Sequence, residues 1–193
     1  MLPFLSMNII LGSSSKFRKA AFAKVTPKFE TMSPEIDEKA IRDSDPQALT
    51  LKIARAKAAA LLSLIADEAI LVTADQVVVI NGEIREKPDD EDECRRFLRS
   101  YNDQPIEVVN GVVVTNTKTN ARAEGNQVTH IQFRQIPETV IDKLIQEGHV
   151  LSCSGGLKAE HSDMQSYIES IDGTADDLQG VPVELIKRLM TQI

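Results

Sequence analysis

The sequence has little of several residue types, and each shortage argues against a class of protein. It contains only two cysteines among its 193 residues, Cys94 and Cys153, too few for a disulfide framework or a cysteine zinc site. Its three histidines, His130, His149 and His161, do not follow the spacing of metal ligands. We therefore expect neither a small disulfide-stapled fold nor a zinc protein.

Long apolar runs and an excess of positive charge are missing as well. No run of about 20 apolar residues is present to cross a bilayer, and the apolar residues 1–5 are too few for a signal peptide. We expect a cytoplasmic protein without a membrane partner. The formal net charge of −7 argues against a nucleic-acid polymer as a partner, because such proteins normally carry a basic face. An anionic small molecule is compatible with this charge where a few cations converge.

The order of apolar segments predicts a mixed α/β protein. Runs of strand length alternate with patterns of helical spacing. Asn81-Gly82 between two short runs predicts a tight hairpin, and Pro46 marks the start of a long helix. Strands are expected at 7–11, 29–32, 69–72, 77–80, 83–85, 106–115 (interrupted at Asn110-Gly111) and 128–133, and helices at about 15–25, 46–64, 89–100, 137–146 and 182–190.

Residues 9–19, which read IILGSSSKFRK, form the most informative segment. An apolar run ends at Gly12, three serines follow, and a helical pattern then begins. A strand that enters a helix through such a turn presents backbone N–H groups at the positive end of the helix dipole, where phosphate binds. The guanidinium of Arg18 suits phosphate, and Phe17 beside it indicates a flat group such as a base. The alternative is an ordinary capped helix with a solvated basic face.

Two carboxylates are candidates for metal binding. Asp75 lies at the end of an apolar strand, where a carboxylate is costly unless it is paired or catalytic, and Glu38 lies in a polar loop at 33–45. We expect both to hold Mg²⁺ or Mn²⁺, which prefer oxygen ligands. We expect Asp75 also to act as the general base of a hydrolysis, in which it accepts the proton of the water molecule that attacks the substrate. The simpler alternatives are a turn-capping Asp75 and a solvated Glu38.

Four polar or basic residues are candidates for phosphate binding. Lys57 falls among alanines on the long helix, and Lys87 precedes Pro88 just after the hairpin. With Ser13 and Arg18 they would neutralise a triphosphate and take up the charge that develops when water attacks phosphorus. Taken alone, Lys57 would be assigned as a solvated lysine.

Together these motifs resemble the Maf family of nucleoside triphosphate pyrophosphatases, which is related in fold to the inosine triphosphatases. The similarity extends from about residue 9 to residue 189. It implies a mixed, elongated β-sheet flanked by helices, a single domain over 1–193 with two lobes around a central cleft, and a homodimer. Lys16 and Lys19 replace a proline and an arginine of the family pattern. The matching motifs are Ser13 to Lys19, Asp37-Glu38, Lys57-Ala58, Asp75-Gln76, Gly82 to Pro88, and Gly180-Val181-Pro182.

Three positions separate the branches of this family by substrate. The branch acting on dTTP and UTP has Arg, Thr and Gln where this chain has Phe17, Gln76 and Glu160. An aromatic residue, Gln and Glu are typical of the branch acting on 7-methyl-GTP. A 7-methylguanine ring is cationic, so an aromatic face attracts it by about 0.5–2 kcal/mol, and the Glu160 carboxylate can accept from its N1–H and exocyclic amine. The alternatives are a core aromatic at Phe17 and a surface acid at Glu160.

The sequence thus predicts a metal-dependent nucleoside triphosphate pyrophosphatase. It would convert 7-methyl-GTP, or a related modified nucleotide, to the monophosphate and pyrophosphate. The resemblance also indicates disposal of non-standard nucleotides and a link to septum formation. Two alternatives stay open at this point: a dTTP or UTP pyrophosphatase of the same family, and a non-catalytic nucleotide-binding regulator of cell division.

Overall fold

The computed structural model describes residues 7–193, so the expectation for residues 1–5 lies outside the described part of the chain. Residues 7–193 form seven strands and six α-helices, which confirms the mixed α/β class. Within this range no helix has the length and apolar character needed to cross a membrane. The strands are β1 (Asn8–Gly12), β2 (Glu30–Met32), β3 (Ala69–Ile80), β4 (Glu83–Arg85), β5 (Ile106–Asn116), β6 (Arg122–Phe133) and β7 (Ile168–Asp172). The helices are α1 (Lys16–Phe22), α2 (Pro46–Leu62), α3 (Glu91–Ser100), α4 (Glu138–Glu147), α5 (Ser162–Gln165) and α6 (Val183–Met190).

The seven described strands belong to one mixed sheet. Its order is β2-β1-β3-β5-β6-β7, and β4 pairs with β3. β1 runs parallel to both neighbours, with Gly12 opposite Met32 of β2 and Thr73 of β3. β4 and β7 are antiparallel to β3 and β6. The predicted hairpin is confirmed, because Asn81 and Gly82 have φ angles of 50° and 76°, as a tight two-residue turn requires.

Three strands are longer than the sequence predicted, and β7 was missed. β3 joins the two strands predicted at 69–72 and 77–80 into one, and it is buried along nearly its whole length. β5 is unbroken at Asn110-Gly111, since both residues are buried within the sheet. β6 begins at Arg122 rather than at 128. β7 is polar and mostly exposed, so it lacks the apolar pattern that would have revealed it.

Contacts divide the described chain into two compact units. The first comprises the described residues up to Asp75, together with Asn110–Gln127 and Gly180–Ile193. The second comprises Gln76–Val109 and Val128–Gln179. Each unit is therefore assembled from segments that are distant in sequence.

Each unit has its own apolar core. In the first, alternate residues of β3 point to opposite faces of the sheet. Ile70 and Val72 pack in a cluster that includes residues of α1 and α6, whereas Ala69 and Leu71 pack in a cluster that includes residues of α2. The core of the second unit contains residues from α3 and α4 with those of its own strand segments. The first unit thus has helices on both faces of its part of the sheet.

Helix α2, which carries Lys57, is seated directly on the backbone of β5. A Cβ atom at Gly111 would lie 2.6 Å from the carbonyl carbon of Thr50 and 2.7 Å from the amide nitrogen of Leu51. Only glycine allows this approach. The side-chain amide of Asn126 donates to the carbonyl oxygen of Gln47 at 3.1 Å and to the Thr50 hydroxyl at 3.2 Å. These contacts fix the first turns of α2 on the sheet.

We expect Gly111→Ala to destabilise the protein by about 1–3 kcal/mol, because the backbone of α2 would have to move to admit a methyl group. Gly125→Ala in β6 is the matched control, since a Cβ there would meet only the side-chain ends of Leu185 and Leu189, at 3.3 Å and 3.8 Å. Urea unfolding of both variants measures the difference. Equal free energies of unfolding would contradict the tight seating of α2.

Candidate active site

The candidate site begins where two parallel strands of the first unit stop pairing. β1 pairs with β3 as far as Gly12 opposite Thr73. Ser13 therefore opens the turn after β1. Asp75 lies two residues beyond the last pairing of β3 with β1, but within β3 itself, so the prediction that it ends a strand is wrong because the buried strand continues to Ile80. Ligands of open α/β sheets bind outside the carboxyl ends of neighbouring parallel strands. Ser13, expected from the sequence, occupies such a place at the end of β1, whereas Asp75 lies within the longer β3.

Hydroxyl groups order the turn between β1 and α1. The Oγ of the buried Ser13 accepts a hydrogen bond from the Ser15 amide at 3.2 Å, and the Oγ of Ser15 accepts one from the Arg18 amide at 3.3 Å. Ser15 is therefore the N-cap of α1. A hydroxyl that accepts still has its own proton to donate to an anion. Phosphate binding by Ser13 is compatible with this turn and stays a prediction.

The two informative side chains of α1 differ in their surroundings. Arg18 donates from Nη1 to the carbonyl oxygen of Ala74 at 3.0 Å, which places its guanidinium beside the residue preceding Asp75. Phe17 is 39% exposed, so its interpretation as a core aromatic is wrong. Its stacking against a base stays a prediction.

A buried lysine joins the two predicted metal ligands. Nζ of Lys57 lies 2.7 Å from Oδ1 of Asp75 and 3.1 Å from Oε1 of Glu38. It also lies 3.5 Å from the carbonyl oxygen of Ala74. Lys57 and Asp75 are only 4% and 5% exposed, and lysine is almost never buried unless its charge is paired. The interpretation of Lys57 as a solvated lysine is therefore wrong, and its ammonium, assigned to phosphate from the sequence, directly contacts the carboxylates.

The same two carboxylates fit a hard divalent cation. Glu38 and Asp75 offer oxygen atoms of the kind that Mg²⁺ and Mn²⁺ prefer. Both contact one ammonium group, so the two carboxylates lie close together. The residues fit the predicted metal, whose binding stays a prediction.

A second group of metal-type side chains lies in the second unit, where Glu147, His161 and Asp163 come within reach of one another. One ligand atom of each lies within 4.8 Å of the others, but these side chains already bond to protein groups. Nε2 of His161 lies 2.9 Å from Glu147, whereas Nδ1 on the other side of the ring accepts from the Asp163 amide at 3.3 Å. The Asp163 carboxylate accepts from Lys143 at 2.6 Å. These groups therefore pair with protein groups, and the His161 side chain caps the N-terminus of α5.

Gln76, a predicted specificity residue in the second unit, is held at its backbone and its side chain. Its Nε2 donates to the carbonyl oxygens of Asp177 and Leu178, at 3.2 Å and 3.1 Å. Its own carbonyl oxygen accepts from the Ser154 hydroxyl at 2.8 Å. Because a carbonyl oxygen can only accept, the orientation of the side-chain amide is determined. Oε1 is therefore the side-chain atom of Gln76 that can serve a ligand.

The remaining two predicted residues, Lys87 and Glu160, surround one cysteine of the second unit. Burial raises the pKa of the Cys153 thiol, the Glu160 carboxylate raises it further, and the ammonium groups of Lys158 and Lys87 act in the opposite direction. All three charges thus lie within electrostatic range of the same thiol. Both residues belong to the second unit, where Lys87 is exposed and Glu160 is half-buried, and a role of either in binding stays a prediction.

A buried tyrosine fixes the turn beside this group. The Tyr101 hydroxyl donates to the carbonyl oxygen of Gly155, and burial raises the pKa of Tyr101, so that the hydroxyl keeps its proton. The Gly155 amide donates to the carbonyl oxygen of Glu86 at 2.7 Å. Gly155 has a φ of +63°, and a Cβ there would lie 2.5 Å from the Tyr101 hydroxyl. Gly155 is therefore hydrogen-bonded both to Tyr101 in the core and to Glu86, the residue before Lys87.

Comparison with known proteins identifies the family. Residues 8–193 match the family model described as Maf-like protein. The chain belongs to the Maf family. It is 44% identical over 195 residues to the 7-methyl-GTP pyrophosphatase of Dictyostelium discoideum, a match that covers 97% of this chain and 98% of that protein. The corresponding protein of Idiomarina loihiensis, also named 7-methyl-GTP pyrophosphatase, is 28% identical over 189 residues, which cover 97% of this chain and 96% of that protein.

A solved structure gives a weaker match to this Maf chain. The nucleoside-triphosphatase / dITP/XTP pyrophosphatase of Mycobacterium abscessus has 13% sequence identity and a TM-score of 0.41. The match covers 68% of this chain and 76% of that chain. Similarity at this level does not bear on the chemistry of the site.

Lys158 of this Maf protein was not among the residues predicted for the site. Lys158 is 7% exposed and lies in the charge group around Cys153 with Lys87 and Glu160. Its sequence signal is its position between Leu157 and Ala159, where a lysine interrupts an apolar and small-residue segment. That signal was readable, but the proximity of its charge to Lys87 and Glu160 depends on the tertiary structure.

We expect Lys57→Met to destabilise this Maf protein by about 3 kcal/mol or more, because it leaves the buried Asp75 carboxylate without its counter-ion. The double variant Lys57→Met/Asp75→Asn should regain part of that loss, since the uncompensated charge is then gone. Lys52→Met, on the exposed face of the same helix, should change stability little. Urea unfolding measures the free energy of unfolding of each variant, including Asp75→Asn alone. A loss of stability in the double variant equal to the sum of the losses in Lys57→Met and Asp75→Asn would contradict the pairing.

Proposed function

We propose that this Maf protein is a nucleoside triphosphate pyrophosphatase that cleaves 7-methyl-GTP between its α and β phosphates. The observation that carries the proposal is the buried contact of Lys57 with Asp75 and Glu38, with Arg18 on the adjacent carbonyl of Ala74. Acids that can activate water thus stand beside cations that can neutralise phosphate. The names of the two relatives support the same activity and the same substrate.

In the proposed reaction, water adds to the α-phosphorus and the bond to the bridging oxygen of the β-phosphate breaks. The water proton passes to Oδ2 or Oδ1 of Asp75, and pyrophosphate leaves with the bridging oxygen. Arg18 and Ser13 bind phosphate oxygens in the first unit, and Lys87 is the phosphate candidate of the second unit. Lys57 holds both carboxylates in place through its ammonium group. When bound, Mg²⁺ or Mn²⁺ held by Glu38 and Asp75 supplies positive charge that stabilises the phosphate oxygens.

Recognition of the base is assigned to Phe17, Gln76 and Glu160. The exposed ring of Phe17 supplies a face for the cationic 7-methylguanine ring. The carboxylate of Glu160 and the Oε1 of Gln76 are acceptors, and guanine offers N1–H and amine donors. Acceptors and an aromatic face are the groups that 7-methylguanine calls for. A homodimer, a cytoplasmic location and a link to septum formation stay predictions.

Pyrophosphate release from 7-methyl-GTP, GTP, dTTP, UTP, CTP and ITP, with Mg²⁺ or Mn²⁺ and with chelator, tests the activity. We expect 7-methyl-GTP to be preferred, activity to be lost on chelation, and Asp75→Asn to lower kcat by about 10²–10⁴-fold, because the proton acceptor is removed. Asp67→Asn, at an exposed position just before β3, is the control and should keep full activity.

The other outcomes of this panel separate the alternatives. A preference for dTTP or UTP would retain the phosphate chemistry and reject the proposed base specificity. Absence of turnover with every nucleotide would reject the enzyme and favour a nucleotide-binding regulator. Turnover that survives chelation would reject the metal at Glu38 and Asp75.

We expect Phe17→Arg to reduce the preference for 7-methyl-GTP over dTTP by roughly 2–30-fold, because a guanidinium repels the cationic ring that an aromatic face attracts. Phe17→Tyr keeps the aromatic face and should retain the preference. The ratio of kcat/KM values for the two nucleotides is the measurement. An unchanged ratio in Phe17→Arg would show that the ring of Phe17 does not contact the base.

A further inference from the structure

The Gly180-Val181-Pro182 turn before α6 has no part in the chemistry described so far. Gly180 has a φ of +74°, in the region that glycine adopts most easily. A Cβ atom there would lie 2.7 Å from Nε of Arg18, 3.1 Å from Nη2 and 3.2 Å from Cζ. The bare backbone of Gly180 is thus packed directly against the guanidinium of Arg18, within the first unit.

Arg18 is constrained from other directions as well. Its Nη1 donates to the carbonyl oxygen of Ala74 at 3.0 Å, and its backbone amide is capped by Ser15 at 3.3 Å. The turn on the Gly180 side is itself fixed, because the next residue, Val181, is only 1% exposed. A long side chain held by its backbone, by one hydrogen bond and by a packed glycine has few orientations left. Such preorganisation is what makes a cation effective against the charge that develops on phosphate.

We propose that Gly180 is a positioning residue for Arg18, which holds the guanidinium in the orientation that receives phosphate. The inference rests on the proposed function, because it takes Arg18 as a phosphate-binding group. Gly180 acts through Arg18 and makes no contact with substrate of its own. A side chain at residue 180 would displace the guanidinium from Ala74 without altering its charge.

The variant Gly180→Ala tests this proposal, with Gly148→Ala as the matched control. Gly148 has a φ of +76°, and a Cβ there would meet no atom within 4 Å. Both variants therefore carry the same backbone strain, and only one pushes on Arg18. We expect both to lose similar stability in urea unfolding, whereas kcat/KM for 7-methyl-GTP falls roughly tenfold or more in Gly180→Ala and stays within about twofold in Gly148→Ala.

The Arg18→Met background separates positioning from general damage. If Gly180 acts through Arg18, then Gly180→Ala should cost far less activity once Arg18 has been removed than it costs in the wild type. An equal loss in both backgrounds, or activity in Gly180→Ala equal to that of Gly148→Ala, would overturn the proposal. Gly180→Asn carries the same Cβ and tolerates left-handed backbone better, so it repeats the test if the alanine variant is unstable.

Binding of inorganic triphosphate, measured by calorimetry, distinguishes failure of this inference from failure of the proposed function. We expect Gly180→Ala and Arg18→Met to weaken triphosphate binding by similar factors and Gly148→Ala to leave it unchanged. If the wild type binds triphosphate but hydrolyses no nucleotide, the proposed reaction fails and the positioning of Arg18 is still decided by this comparison. If Arg18→Met binds triphosphate as well as the wild type, Arg18 is not a phosphate group and the positioning role is rejected with it.

Discussion

The buried ammonium of Lys57 is the constraint on which the candidate site depends. A charge that has lost its water must meet opposite charge at close range, and here it meets Asp75 from β3 and Glu38 from the loop after β2. Three distant segments of the first unit are therefore tied at one point. The same point has groups that phosphate chemistry uses, namely a carboxylate that can take a proton and carboxylate oxygens of the kind that a divalent metal prefers.

Close backbone packing places the other parts of the first unit around that point. Gly111 lets the start of α2 rest on β5, which sets the position from which Lys57 reaches the carboxylates. Gly180 lets the turn before α6 rest on the guanidinium of Arg18. A Cβ at Gly111 would meet the backbone of α2, and one at Gly180 would meet the guanidinium of Arg18, so at both positions the missing side chain is the feature that matters. Charge pairing thus positions the two carboxylates at Lys57. The lack of a side chain at Gly111 and Gly180 allows α2 and the turn before α6 to pack closely beside them.

Local sequence predicted the elements well where a segment has a strong pattern, as in α2, the Asn81-Gly82 hairpin and the turn after β1. It was wrong where burial overrides a turn signal. Asn110-Gly111 reads as a turn, but in β5 both residues are enclosed by the sheet and by α2. Polar β7 left no signal because its exposed residues are not selected for apolar character. The missed Lys158 shows the same limit for the site, since its charge matters only through the neighbours that folding gives it.

By itself the sequence determined the class of fold and the family motifs, and it nominated the side chains for the chemistry, because the spacing of apolar residues, the turn residues and the identity of charged groups are local properties. Only the tertiary structure decided how those groups are used. It assigned the Lys57 charge to Glu38 and Asp75, exposed Phe17, fixed the amide of Gln76 by two carbonyl groups and packed Gly180 against Arg18. These outcomes depend on distances between residues far apart in the chain, and the spacing of residues along a sequence does not contain such distances.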